Sequence, residues 1–157
     1  MLLTRKTDYA LVALAGLARL DGEAASARDL AEQLHLPLPV LRNILKELAT
    51  RGLLVSSRGP SGGYRLGRPA HDISLAEIVE VIEGPVQLLT CCPPEGHEQV
   101  PRCRIEDSCL IKLNVGRVHD RLMEFLHDVT LDQMVPDTVP ASSIVTTLRS
   151  ESLAHQE

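Results

Sequence analysis

All four cysteines of the chain, Cys91, Cys92, Cys103 and Cys109, fall within one stretch, CCPPEGHEQVPRCRIEDSC. Thiols gathered in this way can close a disulfide, hold a metal or a cluster, or serve as a metal-free redox switch. Zinc sites show close C-x-x-C pairs; none is present, and the wide intervals after Cys91 and Cys103 suit a larger iron–sulfur cluster better. Cytosolic thiols stay reduced, so a disulfide is the weakest of these readings, although an apo protein handled in air can oxidise. A pure thiol sensor keeps the same residues and needs no metal. Iron–sulfur clusters are held mainly by thiolates, and a carboxylate or imidazole at one corner leaves that corner weaker and exchangeable. Such a corner suits a sensor of oxygen, nitric oxide or iron supply.

Whatever holds that stretch in place must come from the rest of the chain. Its 157 residues allow one domain with an additional dimerisation element. Hydrophobic residues make up 44% and charged residues 24%, the balance of a globular protein, and the near absence of aromatics leaves Leu, Val, Ile and Ala to build the interior. The longest apolar run, Ala10 to Ala18, is too short to cross a bilayer. Asp8 stands where a signal peptide would be apolar, so a cytoplasmic protein with no membrane partner is expected. Net charge is −5, yet residues 1–68 carry ten Lys and Arg against six Asp and Glu, and residues 69–157 carry six against fifteen. A basic first half points to contact with a polyanion. No glycine-rich phosphate loop follows a strand and no histidine accompanies a plausible nucleophile, so an enzyme is not expected.

Residues Thr7 to Leu20 are apolar nearly all round and predict a buried helix ended by Asp21-Gly22. Ser26 to Asp29 resembles a capping box, and Ala27, Leu30, Ala31 and Leu34 then recur at helical spacing. His35-Leu-Pro-Leu-Pro39 breaks the pattern before Leu41, Ile44, Leu45 and Leu48 resume it, with Gly52 as the stop. Two short amphipathic helices joined this way predict a helix-turn-helix. Strand-like runs at Leu53 to Ser57 and Tyr64 to Leu66 flank Arg58-Gly-Pro-Ser-Gly-Gly63, the tip of a tight hairpin. Ser74-Leu-Ala-Glu77 is a second capping box, with Ile73 and Ile78 as its staple and Gly84-Pro85 as the stop. After the cysteines, Ile111, Val115, Val118, Leu122, Phe125 and Val129 are spaced 4, 3, 4, 3, 4, a heptad seam that favours a homodimer. Thr130 to Gln133 starts one more turn, and the Ser-, Thr- and Pro-rich remainder lacks a sustained pattern. The expected fold is mainly α: a winged helix-turn-helix with a small β-hairpin wing over residues 1–85, a cysteine-rich loop over 86–109, a dimerisation helix and terminal turn over 110–135, and a mobile tail over 136–157.

In such a motif the second helix reads bases. Arg42 and Asn43, near its N-terminal end, can make bidentate contacts to guanine and adenine, while Lys46 and Arg51 suit phosphate. Glu47 lies on the same face. Thr4, Arg5 and Lys6 are expected where the first helix nears the DNA backbone, and Arg58 with Ser61 places the wing in a minor groove.

Together the helix-turn-helix, the wing Arg58-Gly-Pro-Ser-Gly-Gly-Tyr64, the stretch from Ile73 to Pro85, the cysteine loop and Thr130-Leu-Asp-Gln-Met134 resemble the IscR/NsrR family of bacterial transcription regulators across residues 1–135. That resemblance implies a homodimer bound to a pseudo-palindromic operator in double-stranded DNA, acting as a repressor. It also implies three loop cysteines holding a two-iron or four-iron cluster whose state controls DNA binding. Counting from Glu83-Gly84-Pro85, those cysteines are Cys91, Cys103 and Cys109, with Cys92 extra. The sequence departs from the family pattern in a longer cysteine loop, in Lys112 where some members have a histidine ligand, and in Pro39 and Val40 where relatives often carry Ser and Tyr. The fourth ligand is open among Cys92, Asp8, His35 and His97. A zinc-bound or metal-free thiol sensor, or a protein-interaction module on the same scaffold, is the alternative.

Overall fold

The computed structural model describes residues 3–59, 62–88, 103–105 and 108–135. Cys91, Cys92, His97, Ser61 and the tail over 136–157 lie outside the described residues. Six helices and one hairpin are described: α1 (Arg5–Ala18), α2 (Ala27–Gln33), α3 (Leu38–Thr50), β1 (Leu54–Ser57), β2 (Gly63–Leu66), α4 (Leu75–Glu83), α5 (Lys112–Asp128) and α6 (Leu131–Met134), with a 3-10 turn at Ala70–Asp72 before α4.

Helix α1 forms from an alanine- and leucine-rich run and buries Ala10, Ala13, Leu14 and Leu17 against α3, α4, α6 and β2. It is less enclosed than its composition predicts. Arg5, Asp8 and Val12, which share one side at helical spacing, are exposed, Val12 to 43%.

The joint between α2 and α3 is set by backbone chemistry. Ser26 caps α2 by accepting the Asp29 amide at 3.2 Å. At the other end His35 takes a left-handed conformation (φ 53), while the Leu36 amide donates to Ala31 O and the His35 amide to Glu32 O. This is a Schellman closure with histidine where glycine is usual. Pro37 then caps α3 and Pro39 sits in its first turn, where a missing N–H is harmless. Gly52 (φ 79) closes α3 by the same pair of bonds, Leu53 N to Leu48 O and Gly52 N to Ala49 O.

Strands β1 and β2 pair antiparallel, Leu54 opposite Leu66 and Ser57 opposite Gly63. Sequence periodicity missed a third partner. Tyr64 exchanges both backbone hydrogen bonds with Ala25, at 2.8 and 3.0 Å, so the wing is stitched to the segment entering α2. Glycine is required at 63 because a Cβ there would stand 2.4 Å from Ala25 O.

Helix α4 carries the full capping box expected of Ser74 and Glu77, and Ile73 and Ile78 are both fully buried. Burial by itself raises the Glu77 carboxyl, but the Arg68 guanidinium and the Ser74 hydrogen bonds outweigh it and hold the group below its ordinary value. The chain returns to this point: Leu75 N donates to Val129 O and Leu131 N to Ile73 O, both at 2.8 Å, with Leu131 fully buried.

Replacing Gly63 by Ala is expected to undock the wing, destabilising the protein by about 1–3 kcal/mol as an overpacked contact does. Amide exchange should show protection lost at Ala25 and Tyr64 and kept in α1 and α3.

Candidate nucleic-acid interface and cysteine site

Which face of α3 points outward follows from which face is buried. Leu41, Ile44, Leu45 and Leu48 are each 0% exposed, so Arg42, Asn43 and Lys46 are presented to solvent. Arg42, Lys46 and Arg51 enter no ion pair among the described residues. Asn43, Lys46, Glu47, Thr50 and Arg51 line a shallow hollow of about 260 Å³. Val40 and Pro39 add an exposed apolar step at the start of the helix. Arg58, exposed at the end of β1, stands at the base of the wing beside Gly59 (φ 116).

The expected phosphate contacts at the N-terminus divide. Arg5 is exposed. Thr4 and Lys6 already have partners within the protein. The Thr4 amide and hydroxyl both donate to Glu83 Oε1, at 3.0 and 2.6 Å, and the buried Thr7 hydroxyl donates to the same oxygen. Lys6 Nζ lies 2.6 Å from Glu47 Oε2 and 3.5 Å from Ile82 O. Glu83, Thr7 and the Lys6–Glu47 pairing carried no sequence signal, because α1 and the end of α4 are far apart along the chain. The Thr4 hydroxyl, then the Thr7 hydroxyl and the Thr4 amide, hold the Glu83 carboxyl below its ordinary value, and the Lys6 charge adds to them.

Of the thiols, Cys103 and Cys109 fall within the described residues; both are free and half-buried. The Ser108 amide donates to Ile105 O at 3.1 Å, making a turn just before Cys109. Cys109 precedes α5, and Lys112 is the first residue of that helix. Asp8 is exposed on the first turns of α1. Among the described residues no group of three or more His, Cys, Asp or Glu side chains could hold a metal. Within one chain, therefore, Asp8, Cys103 and Cys109 do not form such a group. His35 is exposed and shapes the turn through its backbone.

The heptad seam on α5 splits. Leu126, outside the expected seam, is buried, and with Leu122 and Met123 it packs on Ala76, Val79 and Val86. Ile111, Val118 and Phe125 remain 55–60% exposed.

Residues 3–137 match the Rrf2 family, whose members are described as iron-dependent transcriptional regulators. The chain is 32% identical over 136 residues to the HTH-type transcriptional regulator IscR of Pectobacterium carotovorum, which is 86% of this chain and 79% of that one. It is 33% identical over 137 residues to IscR of Escherichia coli, 86% of this chain and 80% of that one. The structure of CymR, the global cysteine regulator of B. subtilis, is similar with a TM-score of 0.63 at 27% identity, over 86% of this chain and 96% of CymR.

Two substitutions separate base reading from phosphate contact. Lys46→Ala should weaken binding to all duplexes and lower the slope of log affinity against log salt by about 0.9. Arg42→Ala should relax discrimination at one position of each half-site by about 1–3 kcal/mol in competition binding. Equal salt slopes and unchanged discrimination would reject both assignments. A third measurement concerns acid. Because the folded Glu83 carboxyl titrates below the ordinary 4.5, its contacts are fully made above that pH and are lost as pH falls through the lowered value. Carboxyl NMR should show Glu83 titrating lower in the folded protein than in a peptide spanning residues 75–88.

Proposed function

The chain belongs to the Rrf2 family of transcriptional regulators, and from that premise we propose that it is a homodimeric repressor whose grip on a pseudo-palindromic operator is set by an iron–sulfur cluster on its cysteine loop. The observation that carries this reading is the coexistence in one chain of an exposed basic face on α3 and two free thiols, Cys103 and Cys109, the second of them three residues before the long helix. The family and the relatives above are transcriptional regulators rather than enzymes. No helix among the described residues is long and apolar enough to cross a membrane, and we place the protein's work in the cytoplasm, where thiols stay reduced.

The donor chemistry fits such a cluster. Both described thiols are unpaired, and Cys91 completes the family's set of three, with the fourth position among Cys92, Asp8, His35 and His97. A bound cluster supplies redox and exchange chemistry: it changes charge or is lost when oxidants, nitric oxide or iron shortage reach it. The protein's own part is to hold the thiolates in the segment that precedes α5 and to transmit the loop's state. Ile111, Val118 and Phe125 recur every seven residues on the exposed side of that helix, the spacing at which a second copy can pack. Pairing two chains would bring two α3 helices to half-sites one or two helical turns apart, read by Arg42 and Asn43, with Lys46, Arg51 and Arg5 on the phosphate backbone and Arg58 with Ser61 placing the wing in a minor groove. The units are then the reading domain 1–85, the cysteine loop 86–109, the dimer helix and turn 110–135, and the tail 136–157.

A second reading has its own support: CymR is described as a cysteine regulator, and free thiols on this scaffold can act as a zinc-bound or metal-free thiol sensor. Purification without oxygen separates the two. Visible absorption with iron and acid-labile sulfide, lost on Cys103→Ser or Cys109→Ser together with a change of at least fivefold in operator affinity, is the expected result. Colourless protein containing zinc or no metal would favour the second reading.

A further inference from the structure

Glu83 is the last residue of α4, and from it the chain passes through Gly84 and Pro85 toward the cysteine segment. Its Oε1 accepts three hydrogen bonds from the start of α1, donated by the Thr4 amide, the Thr4 hydroxyl and the Thr7 hydroxyl. Thr7 is 0% exposed, so its hydroxyl has no water to turn to if Glu83 leaves. Lys6 stands between these threonines. Its ammonium reaches the Ile82 carbonyl of the same α4 turn at 3.5 Å and the Glu47 carboxylate of α3 at 2.6 Å. One short polar chain thus joins the last turn of α4, the first turn of α1 and the reading helix.

We infer that Glu83 is a positioning residue for DNA binding, which through Thr4, Thr7 and the Lys6–Glu47 pair ties the entrance of the cysteine segment to the placement of α3. The inference rests on the DNA-binding reading above. The hydrophobic attraction between helices is non-directional, whereas hydrogen bonds weaken steeply outside a narrow range of distance and angle. A shift of the last turn of α4 therefore acts on both of its links at once. Either α1 follows, carrying Lys6 with it, or the contacts break. Both outcomes alter the neutralisation of Glu47, a carboxylate on the surface that must approach phosphate. The Lys6–Glu47 pair is about 40% exposed and adds little stability by itself; its effect lies in where it leaves the charge.

The test uses the full chain prepared without oxygen and a duplex that it selects from a randomised pool. Affinity for that duplex is measured before and after the cysteines are blocked with iodoacetamide, and the ratio reports how strongly the loop acts on the reading helix. In the wild type we expect a ratio within about 5–150, the usual span for coupled sites. Glu83→Ala should bring it close to one, with the protein still folded by circular dichroism and still binding in one state. Should that variant melt, Glu83→Gln, which keeps an oxygen for the threonines and loses the charge facing Lys6, should give a ratio below that of the wild type. Lys6→Met supplies a second reading: its loss of affinity should be recovered by Glu47→Gln in the same chain, because the harm is an unpaired carboxylate. A lysine that merely held phosphate would give a loss that Glu47→Gln does not repair, with the salt slope lowered by about 0.9. A wild-type ratio of one, or an unchanged ratio in the Glu83 variant, overturns the relay and leaves DNA binding standing. Failure of the wild type to select any duplex overturns the DNA-binding reading, and the relay with it.

Discussion

Helix α1 meets its neighbours through small side chains, and that close contact governs the rest of the molecule. Ala10 and Ala13 are fully buried where α3 and α4 lean on the helix, and a Cβ at Gly16 would stand 3.3 Å from the Leu34 side chain. A larger residue at Ala10 or Ala13 would overfill the core that Leu14, Leu17, Leu41 and Ile44 share, and one at Gly16 would press on Leu34 and Leu30. With α3 pressed inward along Leu41, Ile44, Leu45 and Leu48, its rotation about its own axis is fixed, and Arg42, Asn43 and Lys46 have only solvent, or a ligand, to face. The reading surface is the reverse side of a packing problem.

Electrostatics follow the same post. In the basic first half of the chain, Arg42 and Lys46 on α3, Arg58 at the wing base and Arg5 at the start of α1 are exposed, as are Arg28 on α2 and Arg65 on β2, while much of the acidic second half lies beyond β2. Two carboxylates lie against these cations with partners inside the protein, while Asp8 stays exposed on α1. Glu47 sits within the basic face and Glu83 beside the start of α1, and each has a partner from α1. Pairing removes the repulsion these groups would present to a polyanion. It also makes the first turn of α1, like the Arg68–Glu77 pair, a place where the two halves of the chain touch through polar groups.

Helix α5 serves two surfaces. Leu122, Met123 and Leu126 fasten it to α4, and the Val129–Leu75 and Leu131–Ile73 hydrogen bonds lock its far end to the α4 cap. Its near end begins beside Cys109. A change at the cysteines can therefore reach α4 from either side, through the helix that follows them or through the turn that precedes them, and α4 touches α1 and α3 directly. The exposed Ile111, Val118 and Phe125 stay clear of this fastening, so attachment of α5 to the domain leaves that row of apolar side chains uncovered.

The elements themselves were legible from local chemistry. Capping at Ser26 and Ser74, the left-handed stop at Gly52, the hairpin between Leu54 and Leu66 and the outward set Arg42, Asn43 and Lys46 all depend on residues within a turn or two of one another, and spacing encodes those relations. The thiols stood out by type, but type by itself does not choose between a disulfide, a metal site and a redox switch. Tertiary structure decided what spacing cannot express: that Tyr64 pairs with Ala25, that Leu126 rather than the whole heptad seam faces inward, that Thr4 and Lys6 are held by Glu83 and Glu47. Each of these joins segments distant along the chain, and their partners are chosen by which helix faces the core has already claimed. A polar side chain carries no mark of its future neighbour, since an accepting carboxylate and a donating hydroxyl match any of their kind until packing brings one pair within about 3 Å.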